Sequence, residues 1–501
     1  MDQNKCLLLK NGTALIHGEN DRVEARRTDI LVAGSKISMV APNIAAPPGA
    51  EVINCTDKII SPGFVDTHHH VWQTLLKGRH ANHTLMEYMP EGNFTSSLHS
   101  AEDTFWAQLT GCLEMIDCGT TSVVDFAHVN YSSEHSDQVI AATASSGIRS
   151  IFCYCPTPLL KTWKPFAVEM NSLGGHVLLK FDELASKAPW ANGRITLGFA
   201  FDGFRFLPHE NLQALMTRLR ENKVQLITYH YSRVPEQGSG SHTAQLRDLG
   251  ILDDRFLVSH GGNPSQEDAD IYRQFGMHVS STPSTELQMA MGSPVAAFRD
   301  DLGDAMPQCC SLGVDCHSNN SAFIPGEARM GLQSARASRG EKFLAQGKSP
   351  NSVHYTVEEA FNLATIRGAR AAKMANRVGS IAEGKLADLV IFSGTSPGMV
   401  GAAQHDPVAA VILHSSPADV EYVVVDGVLR KRAGKLVNVD VDKKAQGFVG
   451  QPKLAWDDVA KEVVSRREVL QKKIEKIDMR AAAEGIKDMW HLDRSKLVDS
   501  I

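Results

Sequence analysis

Pro62-Gly63-Phe64-Val65-Asp66-Thr67-His68-His69-His70 follows a run carrying Ile59 and Ile60. Side chains on an extended strand alternate between faces, so His68 and His70 point one way and His69 the other. Two imidazoles one residue apart on the same face reach a single metal ion. A solvated histidine run is the alternative that these nine residues alone leave open.

Three further hydrophobic runs end in a comparable residue. Val224-Gln225-Leu226-Ile227-Thr228-Tyr229 leads to His230, Arg255-Phe256-Leu257-Val258-Ser259 to His260, and Ser311-Leu312-Gly313-Val314 to Asp315. Short β-rich runs separated by helical stretches read as βα units with a parallel sheet. The expected strands are 63–68, 122–126, 148–154, 195–201, 225–230, 256–260, 278–281 and 312–315, with helices such as 101–116 and 212–223 between them. In a closed (β/α)8 barrel the functional side chains stand at the carboxyl ends of the strands, and each candidate here stands at such an end. The expected fold is α/β: a TIM-like barrel over 61–375, and a small β-sandwich built from 1–60 and 376–440. Asn11-Gly12 is a turn signal, and 421–427 reads as a hairpin. In the tail, 441–501, Trp456, Val459, Val463, Leu470, Ile474 and Ile477 recur at helical spacing, which predicts an amphipathic helix packed on the barrel or on a second subunit.

Composition removes several classes of function. A net charge of −6 over 501 residues implies no surface for nucleic acid or an anionic membrane. No apolar run is long enough to span a bilayer, and Met1-Asp2-Gln3-Asn4-Lys5 lacks a signal-peptide pattern. Nine cysteines show no disulfide spacing, so a reduced, cytoplasmic setting is expected. Cys153, Cys155, Cys309 and Cys310 read as small hydrophobes on buried strands. Cys316 adjoins Asp315 and reads equally as site lining or packing.

These pieces together resemble the metal-dependent amidohydrolase superfamily, in the branch holding cytosine deaminase-like, guanine deaminase-like and triazine hydrolase-like enzymes. Further matching stretches are 118–125, Thr282-Pro283-Ser284, 364–369 and Gly379-Ser380-Ile381-Ala382-Glu383-Gly384-Lys385-Leu386-Ala387-Asp388-Leu389-Val390. The resemblance implies that His68, His70, His230 and Asp315 hold one divalent ion. Imidazoles and a carboxylate suit zinc, and iron(II) or manganese is served by the same donors. It also implies that Asp315 takes a proton from the attacking water and that His260 contacts that water or the developing oxyanion. Two-metal members bridge their ions with a Lys or Glu from the fourth strand. Here that strand, 194–202, contains neither, so one ion is expected. Asp202 fits either an approach to the site or a turn before Gly203.

One position departs from the pattern. In the deaminase branch a Glu stands three residues after the fifth-strand His and shuttles a proton to the leaving amine; here the segment is His230-Tyr231-Ser232-Arg233. A guanidinium keeps its proton near neutrality and cannot serve. Three explanations compete: a shuttle from elsewhere, with Glu286 a candidate; a leaving group that needs less acid; or a changed reaction such as decarboxylation or another lyase step. Arg233 is then free to bind a substrate oxyanion. Trp72, Gln73, His128, His317, Ser318 and Asn319 follow barrel strands, where loops form the mouth. Arg233, Glu286, Trp72, Gln73 and His317 are the substrate-contact candidates. The expected activity is hydrolysis of a non-peptide C–N bond in a small cyclic or aromatic compound, an amide or substituted heterocycle fitting Arg233 better than a plain nucleobase. A non-catalytic scaffold is the third class. Relatives of this kind often pair, so a homodimer is expected.

Overall fold

Parallel strands and helices alternate through the middle of the chain, in a computed structural model that describes residues 6–500 apart from 170, 171, 239 and 304. The strands are β1 (Phe64–His70), β2 (Thr120–Ala127), β3 (Arg149–Tyr154), β4 (Ile195–Ala200), β5 (Ile227–Ser232), β6 (Phe256–Gly262), β7 (His278–Ser281), β8 (Cys310–Leu312) and β9 (Asp315–Cys316). Each pairs in parallel with the next up to β8. β9 then pairs with β1, Asp315 opposite His69, which closes the ring. Every residue of β2 is buried, as expected where helices cover a parallel sheet.

The expected eighth strand, 312–315, is in fact two pieces, β8 and β9. Gly313 presses against β1 so closely that a Cβ there would lie 2.6 Å from His68 O and 2.7 Å from His68 N. The next amide, Val314 N, donates to Asp66 Oδ1 at 3.3 Å instead of continuing the ladder.

Five helices bear on the site. α1 (Ala101–Asp117) begins at a capping box of Ser100 and Asp103, which satisfies two orphan amides reciprocally. α2 (Pro283–Gln288) follows β7 and α3 (Ile324–Leu344) follows β9. In the tail, α4 (Trp456–Ile474) buries Val459, Leu470 and Ile474, and α5 (Met479–Met489) buries Ala482 and Ile486. Of the two expected settings for the tail, the structure shows packing on the barrel. Val459 joins Phe105 and Leu109 of α1, while Ile486 and Leu492 join Tyr88, Met289, Met291 and Cys316 at the barrel rim. Asp493 N donates to Glu236 O in the loop after β5 at 3.1 Å.

The two ends of the chain share a nine-stranded sheet. Its seam is strand Lys58–Pro62, antiparallel to Leu389–Ser393 with Ile60 opposite Ile391. Leu9, Ile30, Ile60, Leu389 and Val424 form its own buried core. The expected turn at Asn11-Gly12 is instead a bulge within one continuous strand, Cys6–His17. Asn11 takes a left-handed φ of 62° and its amide donates to Asp29 Oδ1 at 2.7 Å, so the local signal kinks the strand without reversing it. The 421–427 hairpin is present, turning on Asp426 (φ 56°) and Gly427 (φ 75°). Buried Arg149 of β3 reaches Asp388 at 2.8 Å and Asp426 at 3.1 Å, tying barrel to sheet by charge-assisted bonds.

Candidate metal centre and active site

Alternation along β1 carries His68 and His70 to one side. His230 arrives from β5 and Asp315 from the start of β9. Asp315 Oδ1 lies 3.1 Å from both His68 Nε2 and His70 Nε2, and His230 Nε2 lies 3.3 Å from His70 Nε2. One potential ligand atom from each of the four falls within 4.8 Å of the others, the one such group among the described residues.

The far ring nitrogens are all engaged. His70 Nδ1–H donates to Phe126 O at 3.0 Å. His230 Nδ1–H donates to the Asp202 carboxylate at 3.0 and 3.1 Å. His68 Nδ1 shares a 2.9 Å hydrogen bond with Ser259 Oγ. With Nδ1 carrying the proton in His70 and His230, their two Nε2 lone pairs face each other at 3.3 Å, and that of His70 also faces Asp315 Oδ1. Lone pairs and a carboxylate converging on one point repel unless a cation lies between them. The donor set therefore fits a divalent ion, and the Nδ1 partners fix ring tautomer and orientation.

Electrostatics agree. Burial drives the pKa of His68 well down and that of His70 down, which keeps the rings neutral as ligands must be. Burial acts the same way on His230, but the Asp202 charge and hydrogen bond outweigh it and raise that pKa. Asp315 stays ionised: burial would raise its pKa, yet the surrounding His260, His68 and His70 hold it well below the carboxylate range.

His260 stands at the end of β6 with Nδ1 2.8 Å from Thr282 Oγ1. His260 and Asp315 take left-handed φ values of 72° and 69°. For non-glycine residues this costs about 1–3 kcal/mol each and is typical of functional positions. Glu286, in α2, is fully buried. Its Oε1 accepts from Thr282 N at 2.6 Å and Thr282 Oγ1 at 3.3 Å, and its Oε2 has no partner.

The other candidates fall behind the ligands. Trp72 is fully buried, edge-on to His128 with ring centroids 5.3 Å apart. Gln73 spends its amide on Tyr88 OH at 2.7 Å and Ser318 Oγ at 3.0 Å. His317 bridges His69 Nε2 at 2.7 Å and Glu114 Oε2 at 3.1 Å, and His69 in turn meets Asp66 at 2.6 Å. None of these three side chains faces open space. His128 comes close to the metal group, its ring centroid 4.0 Å from that of His70. Cys316 Sγ lies 3.2 Å from Asp315 Oδ2. Arg233 is half-buried; its backbone is pinned by Gly262 O and Asn263 Nδ2, and its Nε is buried with no partner. Sequence reading passed over Ser259 and Tyr88 and took Thr282 only as part of a matching stretch, because single hydroxyls carry no spacing signal. Asp202, which read as either a turn or a site residue, holds His230.

Residues 59–430 match the Amidohydrolase family. A 5'-deoxyadenosine deaminase of Methanocaldococcus jannaschii is 26% identical over 443 residues, 85% of this chain and 96% of that protein. A 5-methylthioadenosine/S-adenosylhomocysteine deaminase of Symbiobacterium thermophilum is 28% identical over 442 residues, 84% of this chain and 92% of that protein. Among solved structures, an adenosine deaminase of Xanthomonas campestris with bound zinc aligns with a TM-score of 0.74 at 19% identity, covering 95% of this chain and 100% of that one. An atrazine chlorohydrolase of Arthrobacter aurescens TC1, complexed with zinc, aligns at 0.73 and 19% identity, covering 93% and 99%. These structural likenesses show the fold.

Proposed function

The chain belongs to the Amidohydrolase family, and on that premise we propose that it hydrolytically deaminates an amino-substituted heterocycle, an adenosine-type nucleoside being the first class to test. The observation that carries the reading is the convergence of His68, His70, His230 and Asp315 on one point. The deaminases among its relatives supply the choice of substrate class. Zinc is the ion proposed, since a set of three imidazoles and one carboxylate suits it. Bound there, such an ion lowers the pKa of a coordinated water toward neutrality.

The chain's own groups then have distinct parts. Asp315 is ionised and buried, so it receives the proton that the attacking water gives up. His260 is held through Nδ1 by Thr282 and kept neutral by burial, its pKa lowered to about 4, which leaves Nε2 to accept from the attacking water. Asp202 keeps His230 turned toward the group. All nine cysteines are free, which supports a cytoplasmic setting; among the described residues no helix is long and apolar enough to cross a membrane.

The test is ammonia release from 5'-deoxyadenosine, 5'-methylthioadenosine and S-adenosylhomocysteine, with elemental analysis of the same protein. About one zinc per chain, with activity lost on chelation and restored by zinc, is the expected result. Fully loaded protein that releases ammonia from no aminopurine overturns the deaminase reading. Arg233 favours a second reading in that event: its buried Nε has no partner, which suits a cyclic amide bearing a carboxylate. A panel of such amides, assayed for ring opening, tests it.

A further inference from the structure

We infer that Glu286 is the proton donor to the leaving nitrogen, taking the part that the residue at 233 plays in other deaminases. The inference rests on the deaminase reading for its chemistry, but its geometry stands by itself. Glu286 comes from α2 after β7, on the opposite side of His260 from Arg233. Its side chain is fully buried. Oε1 is committed to the amide and hydroxyl of Thr282, and the same hydroxyl holds His260. One residue thus sets the position of both the carboxyl and the imidazole, with His260 Nδ1 3.9 Å from Glu286 Oε1. Oε2 is left buried without a partner, although a buried unpaired oxygen is costly unless something else meets it. No Lys or Arg pairs with this carboxyl among the described residues. Glu327, from α3, makes the contrast: both its oxygens hold Ser284, so it has nothing to offer a substrate.

The charged surroundings suit a neutral acid. The groups facing Glu286 are Asp315 on β9, Glu327 on α3, His260 on β6 and the Cys310 thiol on β8. Burial, reinforced by the Asp315 and Glu327 carboxylates, pushes its pKa up to about 8 against the opposing bonds from Thr282. A carboxyl poised near the working pH is suited to general acid work.

The step balances as follows. The water oxygen bonds to the ring carbon, and the water's first proton goes to Asp315. The bond to the exocyclic nitrogen breaks with its electron pair passing to nitrogen, which takes the Glu286 proton and leaves as ammonia. The proton held at Asp315 restores Glu286. The water's second proton ends on the ring nitrogen beside the new carbonyl. No oxidant, reductant or co-reactant is consumed.

The experiment compares zinc-loaded wild type, Glu286→Gln and Glu286→Asp. For Glu286→Gln the expected result is a kcat lower by ~10²–10⁴-fold, with KM and zinc stoichiometry little changed and the alkaline limb of the kcat profile gone. Glu286→Asp retains an acid and recovers part of the rate. A second readout does not use activity: infrared difference spectra across pH 8 show a protonated-carboxyl band in wild type that Glu286→Gln lacks. Glu327 and Asp125 also titrate high, near 7, so the variant difference assigns the band. An unchanged kcat in Glu286→Gln, the same band in both proteins, or zinc lost with Glu286→Gln while Glu286→Asp restores zinc but no rate, each overturns the proposal. If no amino-heterocycle is turned over at all, the infrared titration still decides whether Glu286 holds a proton, separately from the reading of the substrate.

Discussion

The two sides of the metal group differ sharply. Toward β4 and β5, Asp202 exposes 54% of its side chain and His230 26%. Toward β1 and β9, His68 is 0% exposed and Asp315 4%, beneath a rim where Tyr88, Met289, Met291 and Cys316 pack with Ile486 and Leu492 of the tail. Of the four candidate ligands, His230 thus stands at a wet, charged opening, and His68, His70 and Asp315 stand under an apolar roof. The open side gives a polar molecule a way in and sets the third imidazole through a solvated carboxylate. The roofed side keeps water from Asp315 and Glu286, where proton positions matter. Flexible thioethers suit such a roof, since methionine adapts to irregular shapes.

The comparison breaks most completely at His230, the ligand on the open side. His230→Ala removes a donor atom, and the expected result is a protein that folds but retains no stoichiometric metal by elemental analysis and shows no turnover. Asp202→Asn tests the same side one layer out. It leaves the ligand but weakens its anchor, and a loss of about 10–100-fold in metal affinity or activity is expected, measured by competition with a chelator. On the roofed side the readout changes from metal to stability. Ile486→Ala empties a fully buried position and is expected to cost about 2–5 kcal/mol in denaturant unfolding, with zinc content of the folded protein intact. If Ile486→Ala lost metal as His230→Ala does, the two sides would not be functionally separate.

The smallest effect concerns pH. The Glu286 pKa rises from a usual 4.5 to about 8 on folding. The unfolded chain therefore ionises first, and this group withdraws stability as pH climbs through that window. Glu286→Gln removes the dependence. Its melting temperature should exceed wild type by a few degrees above pH 8 and match it near pH 4, as read by calorimetry on metal-free protein. An equal shift at both ends would show that the gain is packing and not charge.

Much of this was legible in the residues. Ligands at the ends of hydrophobic runs announced both barrel and metal group, because strand periodicity fixes which side chains share a face. Parts that depend on distant contacts were not legible. Asp202 before Gly203 reads as a turn as readily as a histidine anchor, since only the fold brings it to His230 Nδ1. The break between β8 and β9 follows from the closeness of Gly313 to β1, which no local pattern records. Asn11-Gly12 carries a true backbone preference, realised as φ 62° at Asn11, but the pairing of Cys6–His17 with Val23–Ala33 decides that it bends and does not reverse the strand. In the tail, helical spacing picked out Val459, Leu470 and Ile474, which are buried, but also Trp456, which is exposed, and Ile477, which lies beyond the helix; it was silent on what the stripe covers.

The roof has a consequence in time. A polypeptide leaves the ribosome from its amino end, so residues 68 to 315, with every metal ligand, emerge well before α5. During that interval the pocket lacks the cover that Ile486 and Leu492 provide, and the four candidate ligands are open from more directions than in the finished fold. Because the cover follows the ligands in sequence, an ion taken up during synthesis would meet its widest opening before Ile486 and Leu492 close over the site.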